Sequence, residues 1–357
     1  MTYQTAELYL SCLVRKHCKK ATMIQRSTQT WQTLRWQDEL SSLITDPSQL
    51  MTLLELDPNS TTAQQVTASH FPLRTTRSFV ERMEKGNWHD PLLQQILPID
   101  AENNIVTGYV NDPLGEQVCN AQRGIIHKYA GRLLMVTTPQ CAVNCRYCFR
   151  RAFDYKTNTL SRKEWEEALQ YIAENDSIEE VILSGGDPLV ASDKQITWLV
   201  NAIENIPHVM RLRFHSRLPI VLPQRINDDF LHTFKHTRLQ LIMVTHSNHP
   251  NELDEHVHHA LNLLAQQNFT LLNQAVLLKG INDTAAIQIA LSKSLFKMGV
   301  LPYYLHLLDK IQGAAHFDMP LKTAQELHSN MRANLPGYLV PKLVKEVAGA
   351  NAKVTIA

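Results

Sequence analysis

From about residue 128 the sequence settles into a regular alternation, and this alternation limits the fold more than any other feature. Short apolar, β-branched runs recur: RLLMVTT (132–138), EVILSGG (180–186), RLRFHSR (211–217), LQLIMVTH (239–246), FTLLNQAVLL (269–278) and VLPYYLHLL (300–308). Between them lie segments with helical spacing: SRKEWEEALQYIAEN, DKQITWLVNAIENI, NDDFLHTFKHT, NELDEHVHHALNLLAQQ and DTAAIQIALSKSLFKMG. The first of these opens with Ser161 and Glu164, an S-x-x-E capping box. Runs of this kind read as strands and the longer periodic segments as helices. Six strands joined by right-handed helical crossovers predict an α/β fold with a parallel sheet, open or curled into a partial barrel.

The placement of the chemically suggestive groups favours the barrel-like reading. The cysteines follow the first run, Gly185-Gly186-Asp187 the second, Ser216-Arg217 the third, His246 the fourth and Asp309 the sixth. In α/β barrels the site is assembled from those strand ends, and scattered structural residues have no reason to share one edge.

The rest of the chain is less regular. Residues 1–22 lack helical patterning, and Met23 is an alternative start, so 1–22 is read as a possible non-native or disordered extension. Residues 23–105 read as a helical N-terminal region. In it WQTLRWQDELSSLIT places Trp31, Leu34, Leu40 and Leu43 on roughly one face, and SFVERMEKG ends on a glycine stop. Residues 106–320 hold the barrel, and 321–357 form a short C-terminal segment expected to lie across it. With 357 residues, 44% of them hydrophobic, the chain can bury a large core. A net charge of +1 gives no electrostatic case for nucleic acid or an anionic membrane. No apolar run is long enough to span a bilayer. The early AELYLSCLV precedes its charges (RKHCKK), the reverse of a signal peptide, so a cytoplasmic location is expected. Cys12, Cys18 and Cys119 are scattered and read as incidental thiols.

The other three cysteines form C-x3-C-x2-C: Cys141, Cys145 and Cys148. Thiolates so spaced suit an iron–sulfur cluster. A structural zinc site would need a fourth ligand; His127 precedes the motif and no second Cys pair follows. A four-iron cluster with three protein ligands leaves one iron open to an external ligand. In this spacing, with Tyr147 before the last cysteine, the chain resembles the radical S-adenosylmethionine (SAM) superfamily. That resemblance implies a [4Fe-4S] cluster and a partial (β/α)6 TIM-like barrel with the tail closing the site. SGGDPL, which includes Gly185, Gly186 and Asp187, then looks like the glycine-rich loop that meets SAM. On its own a Gly-Gly after a strand is most often a turn.

The segments HKYAGRLLMVTTPQC, CRYCFRRAF, LSGGDPL, SRLPIVLPQR, THSNHPNEL, NQAVLLKGIND and PYYLHLLDKIQG, in this order, narrow the resemblance to lysine 2,3-aminomutases. It implies an isomerase that moves the 2-amino group of L-lysine to C3, giving β-lysine. It implies SAM contacts at His246 and Gln274, with Ser216 and Arg217 among the cofactor-binding residues. It implies pyridoxal 5′-phosphate (PLP) attached to Lys353, although AGANAK stands where the family commonly has a run of glycines; Lys342 and Lys345 are rivals. Lys128, Tyr129 and Arg132 would hold the PLP phosphate, Lys128 as a point charge where arginine is commoner. Arg150 would pair with the substrate carboxylate, its neighbour Arg151 being read as a flanking surface cation. Asp309 and Glu346 would receive the ammonium at lysine's far end. The wording HLLDKIQGAAHF and the stop just after Lys353 resemble the branch that makes (R)-β-lysine to modify translation elongation factor P. That implies a flavodoxin or ferredoxin as electron donor and an elongation-factor-modifying ligase as recipient. The competing readings are an aminomutase for arginine or glutamate, a PLP-independent radical SAM enzyme, and a non-catalytic metal or partner module.

Overall fold

A computed structural model describes residues 35–67, 71–116, 120–154 and 160–357. The 1–22 extension, the alternative start at Met23, the residues Trp31 and Leu34, and Cys12, Cys18 and Cys119 lie outside the described residues.

The alternation folds as one ten-stranded sheet whose spatial order follows the chain. An antiparallel meander, β1 (Asn120–Gln122), β2 (Ile125–Tyr129) and β3 (Arg132–Thr138), leads into the parallel part. There β3 is followed by β4 (Glu180–Gly185), β5 (Arg211–Ser216), β6 (Gln240–His246), β7 (Thr270–Val276) and β8 (Leu301–His306), each parallel to the one before. The first of these six strands is the predicted run unchanged, and the other five are the predicted runs shortened at one or both ends. Helices Arg162–Ala173, Asp193–Glu204, Glu255–Gln266 and Ala285–Lys297 make four of the crossovers. Both halves of the Ser161–Glu164 capping box form. The segment 227–237 is helical only over Asp228–His232, because Leu218–Val221 already supplies helix to the same connection.

The tail extends the sheet. After the helix Leu321–Asn334, β9 (Lys342–Lys345) joins as a further strand parallel to β8, and β10 (Val354–Thr355) folds back antiparallel on it. The fold is an α/β partial barrel of the kind expected, but the tail, expected to lie across the barrel, instead pairs along its β8 edge.

Strand alternation separates core from cavity. On β5, Leu212 and Phe214 are fully buried towards the helices, and the Phe214 ring meets Phe230, Phe234 and Phe269 at centroid distances of 5.7–6.4 Å. Arg213 and His215 point the other way and line an internal cavity. Two-residue periodicity thus places an apolar layer outside the sheet and a polar one inside.

Before the sheet, short helices (Pro47–Leu53, Thr61–Gln64 and Arg77–Val80) pack around their own core of Leu50, Leu54, Phe79, Leu92 and Ile96, while Trp36 of the helix Trp36–Ser41 joins the main core. The face predicted from WQTLRWQDELSSLIT is shifted: Trp36, Glu39 and Ile44 are buried, while Leu40 and Leu43 are half-exposed. The helix is only six residues long, and Glu39 turns inward to accept from the Ser78 backbone N–H and hydroxyl. Val143 of the cysteine loop and Val221 belong to this second core, with Cys145 packed at its edge. Among the described residues no helix is long and apolar enough to cross a membrane.

Candidate functional site

The inward side chains and the loops at the strand ends enclose a cavity of about 860 Å³. That is towards the upper end of what a small-molecule site occupies. Every site residue singled out in the sequence lines it.

The cysteine loop forms one wall and is held from the N-terminal side. Asn144 N–H donates to the Arg74 carbonyl and Arg146 N–H to the Gln95 carbonyl, each at 2.9 Å, and Arg74 Nη1 reaches the Cys141 carbonyl at 3.2 Å. The Arg146 guanidinium, fully buried, pairs with Glu102. Arg151 does not behave as a surface cation: it is buried, with Nη2 on Glu102 at 2.6 Å and Nη1 on the Arg146 and Gly313 carbonyls. Burial and the neighbouring Cys148, Asp187 and Cys145 push the Cys141 thiol well up, and burial with Cys145 pushes Cys148 to about 11. A metal bound by these thiols therefore displaces protons. Arg217 Nη1 donates to Cys145 Sγ at 2.8 Å. Three sulfur donors, one under a guanidinium, suit an anionic iron–sulfur cluster. His127, the histidine that precedes the motif in sequence, faces the helix instead, with Nδ1 3.0 Å from the Tyr171 hydroxyl. Among the described residues no three His, Cys, Asp or Glu side chains converge on a point that one metal ion could share.

The Gly185-Gly186-Asp187 turn meets the cysteine loop at its root. A Cβ on Gly186 would lie 2.2 Å from the Gln140 carbonyl oxygen, and one on Gly185, at φ +121°, 2.6 Å from that of Thr138. The chain's own backbone, closely apposed, requires both glycines. Asp187 engages four donors: the Ser216 hydroxyl and Leu189 N–H on Oδ1, and the Arg217 and Leu218 N–H groups on Oδ2. Asp187 and Ser216 thus tie two strand-end loops together. His246 at the end of β6 stacks on Tyr147 (centroids 5.6 Å apart, planes 15° apart), with Nε2 2.8 Å from its hydroxyl. Burial and Arg217 keep this imidazole neutral, well below the usual histidine range. Gln274 sits beside it in register on β7.

Charged residues form a second cluster along the cavity, beginning at the end of the cysteine loop. Arg150 grips Glu116 by two points, Nε to Oε2 at 2.7 Å and Nη2 to Oε1 at 2.8 Å, while Nη1 reaches Ser184 Oγ at 3.1 Å. Lys128 Nζ lies 3.7 Å from Glu116. Glu346 accepts from the Tyr129 hydroxyl at 3.0 Å and pairs with the Lys353 ammonium. Burial pushes its carboxyl up, but Lys353, Lys128 and Tyr129 outweigh that and hold it below the usual range. Asp309 is pushed up to about 7 by burial and by Glu346, against Lys353. The Arg132 guanidinium lies 4.6 Å from the Tyr129 ring centroid. Lys342 and Lys345 are exposed on β9, whereas Lys353 lines the cavity.

Sequence reasoning missed several members of this wall. Glu116 gave no signal until Arg150 was seen beside it. His215 and His306 were legible in principle, as polar residues on the alternate positions of strands. Their Nε2 atoms are buried with no partner, and burial holds both rings neutral, His306 at about 3.

Comparison with known proteins bears on what such a cavity does. Residues 135–290 match the Radical SAM superfamily. Over 333 residues the chain is 49% identical to the L-lysine 2,3-aminomutase of Haemophilus influenzae, covering 93% of this chain and 97% of that one. The Escherichia coli L-lysine 2,3-aminomutase is 45% identical over 90% and 94%. That of Acetoanaerobium sticklandii is 31% identical over 92% and 79%. Similarity of this extent places the chain in the lysine 2,3-aminomutase family of radical SAM enzymes, a family of isomerases.

Proposed function

We propose that this cavity converts L-lysine to β-lysine by moving the 2-amino group to C3, with PLP carried on Lys353. The carrying observation is that the chain's own groups occupy both recognition positions. The Lys353 ammonium sits on Glu346 beside Asp309, and the Glu116 carboxylate sits in the two-point grip of Arg150. Those are the two ends of a lysine molecule, an alkylammonium and a carboxylate. Arginine's fork suits a carboxylate, and two buried acids favour a cation. Glutamate would bring a second carboxylate against Asp309 and Glu346, so that alternative fits the wall poorly.

When bound, the cluster with SAM supplies a radical able to take hydrogen from C3, and PLP supplies the carbonyl that carries the migrating nitrogen. Cys141, Cys145 and Cys148 hold the first; His246, Gln274 and the loops bearing Gly185, Gly186, Asp187, Ser216 and Arg217 face SAM. Lys128, Tyr129 and Arg132 stand nearest to where a phosphate would be received. The protein fixes C3 by gripping lysine at both ends and walls the reacting atoms from water. In this reading the N-terminal region (23–105), through its described residues such as Arg74 and Gln95, holds the cysteine loop, the barrel lies within 106–320, and 321–357 bring in Lys353. The product is (R)-β-lysine passed in the cytoplasm to a ligase that modifies elongation factor P, with a flavodoxin or ferredoxin as electron donor. The motif wording HLLDKIQGAAHF supports that part.

Borohydride trapping of PLP followed by peptide mapping tests the cofactor assignment: the label is expected on Lys353, and a label on Lys342 or Lys345, or none, overturns it. Turnover of lysine over arginine and glutamate is expected in the same preparation; preference for glutamate overturns the substrate assignment.

A further inference from the structure

Arg217 faces the cysteine loop and is held there from behind. Its Nη1 donates to Cys145 Sγ at 2.8 Å, and its Nη2 donates to Gln95 Oε1 at 2.7 Å and Glu252 Oε2 at 3.0 Å. Glu252 is completely buried, and its other oxygen is fixed by the Asn248 and His249 N–H groups and by Gln95 Nε2. The Phe79 ring covers the guanidinium, its centroid 5.1 Å from Cζ. A carboxylate buried this deeply carries a large desolvation cost, which the paired guanidinium and the fixed donors must offset. Together these groups fix one cation against one sulfur.

We propose that Glu252 and Gln95 are positioning residues that hold Arg217 as a charged hydrogen-bond donor to Cys145, and so set how readily the cluster accepts an electron. The inference rests on reading Cys141, Cys145 and Cys148 as cluster ligands. Hydrogen bonds to ligating sulfurs and nearby charge tune cluster potentials. A cation at this distance stabilises the reduced cluster, which carries one more negative charge, more than the oxidised one. It therefore raises the midpoint. The N-terminal region, through Gln95 and Phe79, thereby takes part in setting the electron affinity of a site built on the barrel.

The test is an EPR-monitored redox titration of the full chain, reconstituted anaerobically and measured without SAM, so that a contact between Arg217 and SAM cannot move the result. Arg217→Met is expected to lower the reduced-to-oxidised ratio at a fixed potential by about tenfold, equivalent to ~59 mV for one electron. Gln95→Leu, which removes a neutral partner of Arg217 and no charge, is expected to shift it the same way by less, and Arg217→Lys, which keeps the charge, to recover part of the loss. Iron and sulfide content are read first. A wild-type chain that takes up no cluster overturns the cysteine reading itself. Variants with a full cluster and an unmoved midpoint overturn the inference alone. Should Arg217→Met fail to take up iron, the size-preserving Gln95→Leu and Arg217→Lys decide it on the same criterion. Weaker SAM binding with an unmoved midpoint also contradicts it, and assigns Arg217 to SAM.

Discussion

Lys353 ends in the same group as the proposed substrate, and on the proposed reading both would compete for Glu346. The Lys353 ammonium pairs with that carboxylate; PLP attached to Lys353 would withdraw it and open the position. The probe is 6-aminohexanoate, which has lysine's carboxylate and terminal ammonium but no 2-amino group to react with PLP. Calorimetry on cofactor-free Lys353→Met is expected to show binding about tenfold tighter than to cofactor-free wild type, roughly 1.4 kcal/mol. Equal affinity would contradict the competition. Asp309 adds a pH dependence with a definite sign. Burial and Glu346 push its carboxyl up to about 7. A bound ammonium favours the ionised form, so below pH 7 binding must release a proton. The KM for lysine is expected to fall as pH rises towards 7, by up to about tenfold per unit, and then to level off. Asp309→Asn is expected to flatten that profile; an unchanged slope would remove Asp309 from the binding step.

At the scale of elements, what matters is how the cysteine loop is held between the barrel and the N-terminal helices. Gly186→Ala places a methyl 2.2 Å from the Gln140 carbonyl oxygen, so the segment leading to Cys141 must shift. A loss of about 1–3 kcal/mol in chemical denaturation is expected, with reduced iron uptake on reconstitution. Full uptake at wild-type stability would show that the turn relaxes freely. Glu102→Gln leaves Arg146 and Arg151 buried without their shared carboxylate, and a cost of about 3–5 kcal/mol is expected from a denaturant midpoint. The barrel strands were legible because β-branched runs of six or seven residues carry their own signal. The N-terminal elements were not: helices of four to seven residues owe their form to tertiary contacts, so Glu39 could displace Leu40 from the buried face. KLVK, flanked by exposed lysines, gave no strand signal either; its place beside β8 is set by packing of Leu343 and Val344. In the site, strand-end residues were legible through topology. The pairs Arg150–Glu116 and Glu346–Lys353, and the Glu252–Arg217–Cys145 chain, join residues far apart in sequence, and no spacing announces them.

Taken whole, the molecule brings a cysteine loop, a polar barrel wall and a tail lysine to one enclosed space, and the N-terminal region closes it over the cysteines. The central claim is that this space exchanges nitrogen between C2 and C3 of lysine. The direct test is anaerobic incubation of the reconstituted chain with SAM, PLP, a reductant and L-lysine labelled with nitrogen-15 at the 2-amino group. The account expects β-lysine bearing the label on C3, formed only when lysine, SAM, PLP and the reductant are all present. Full iron and PLP loading with no labelled β-lysine would contradict it.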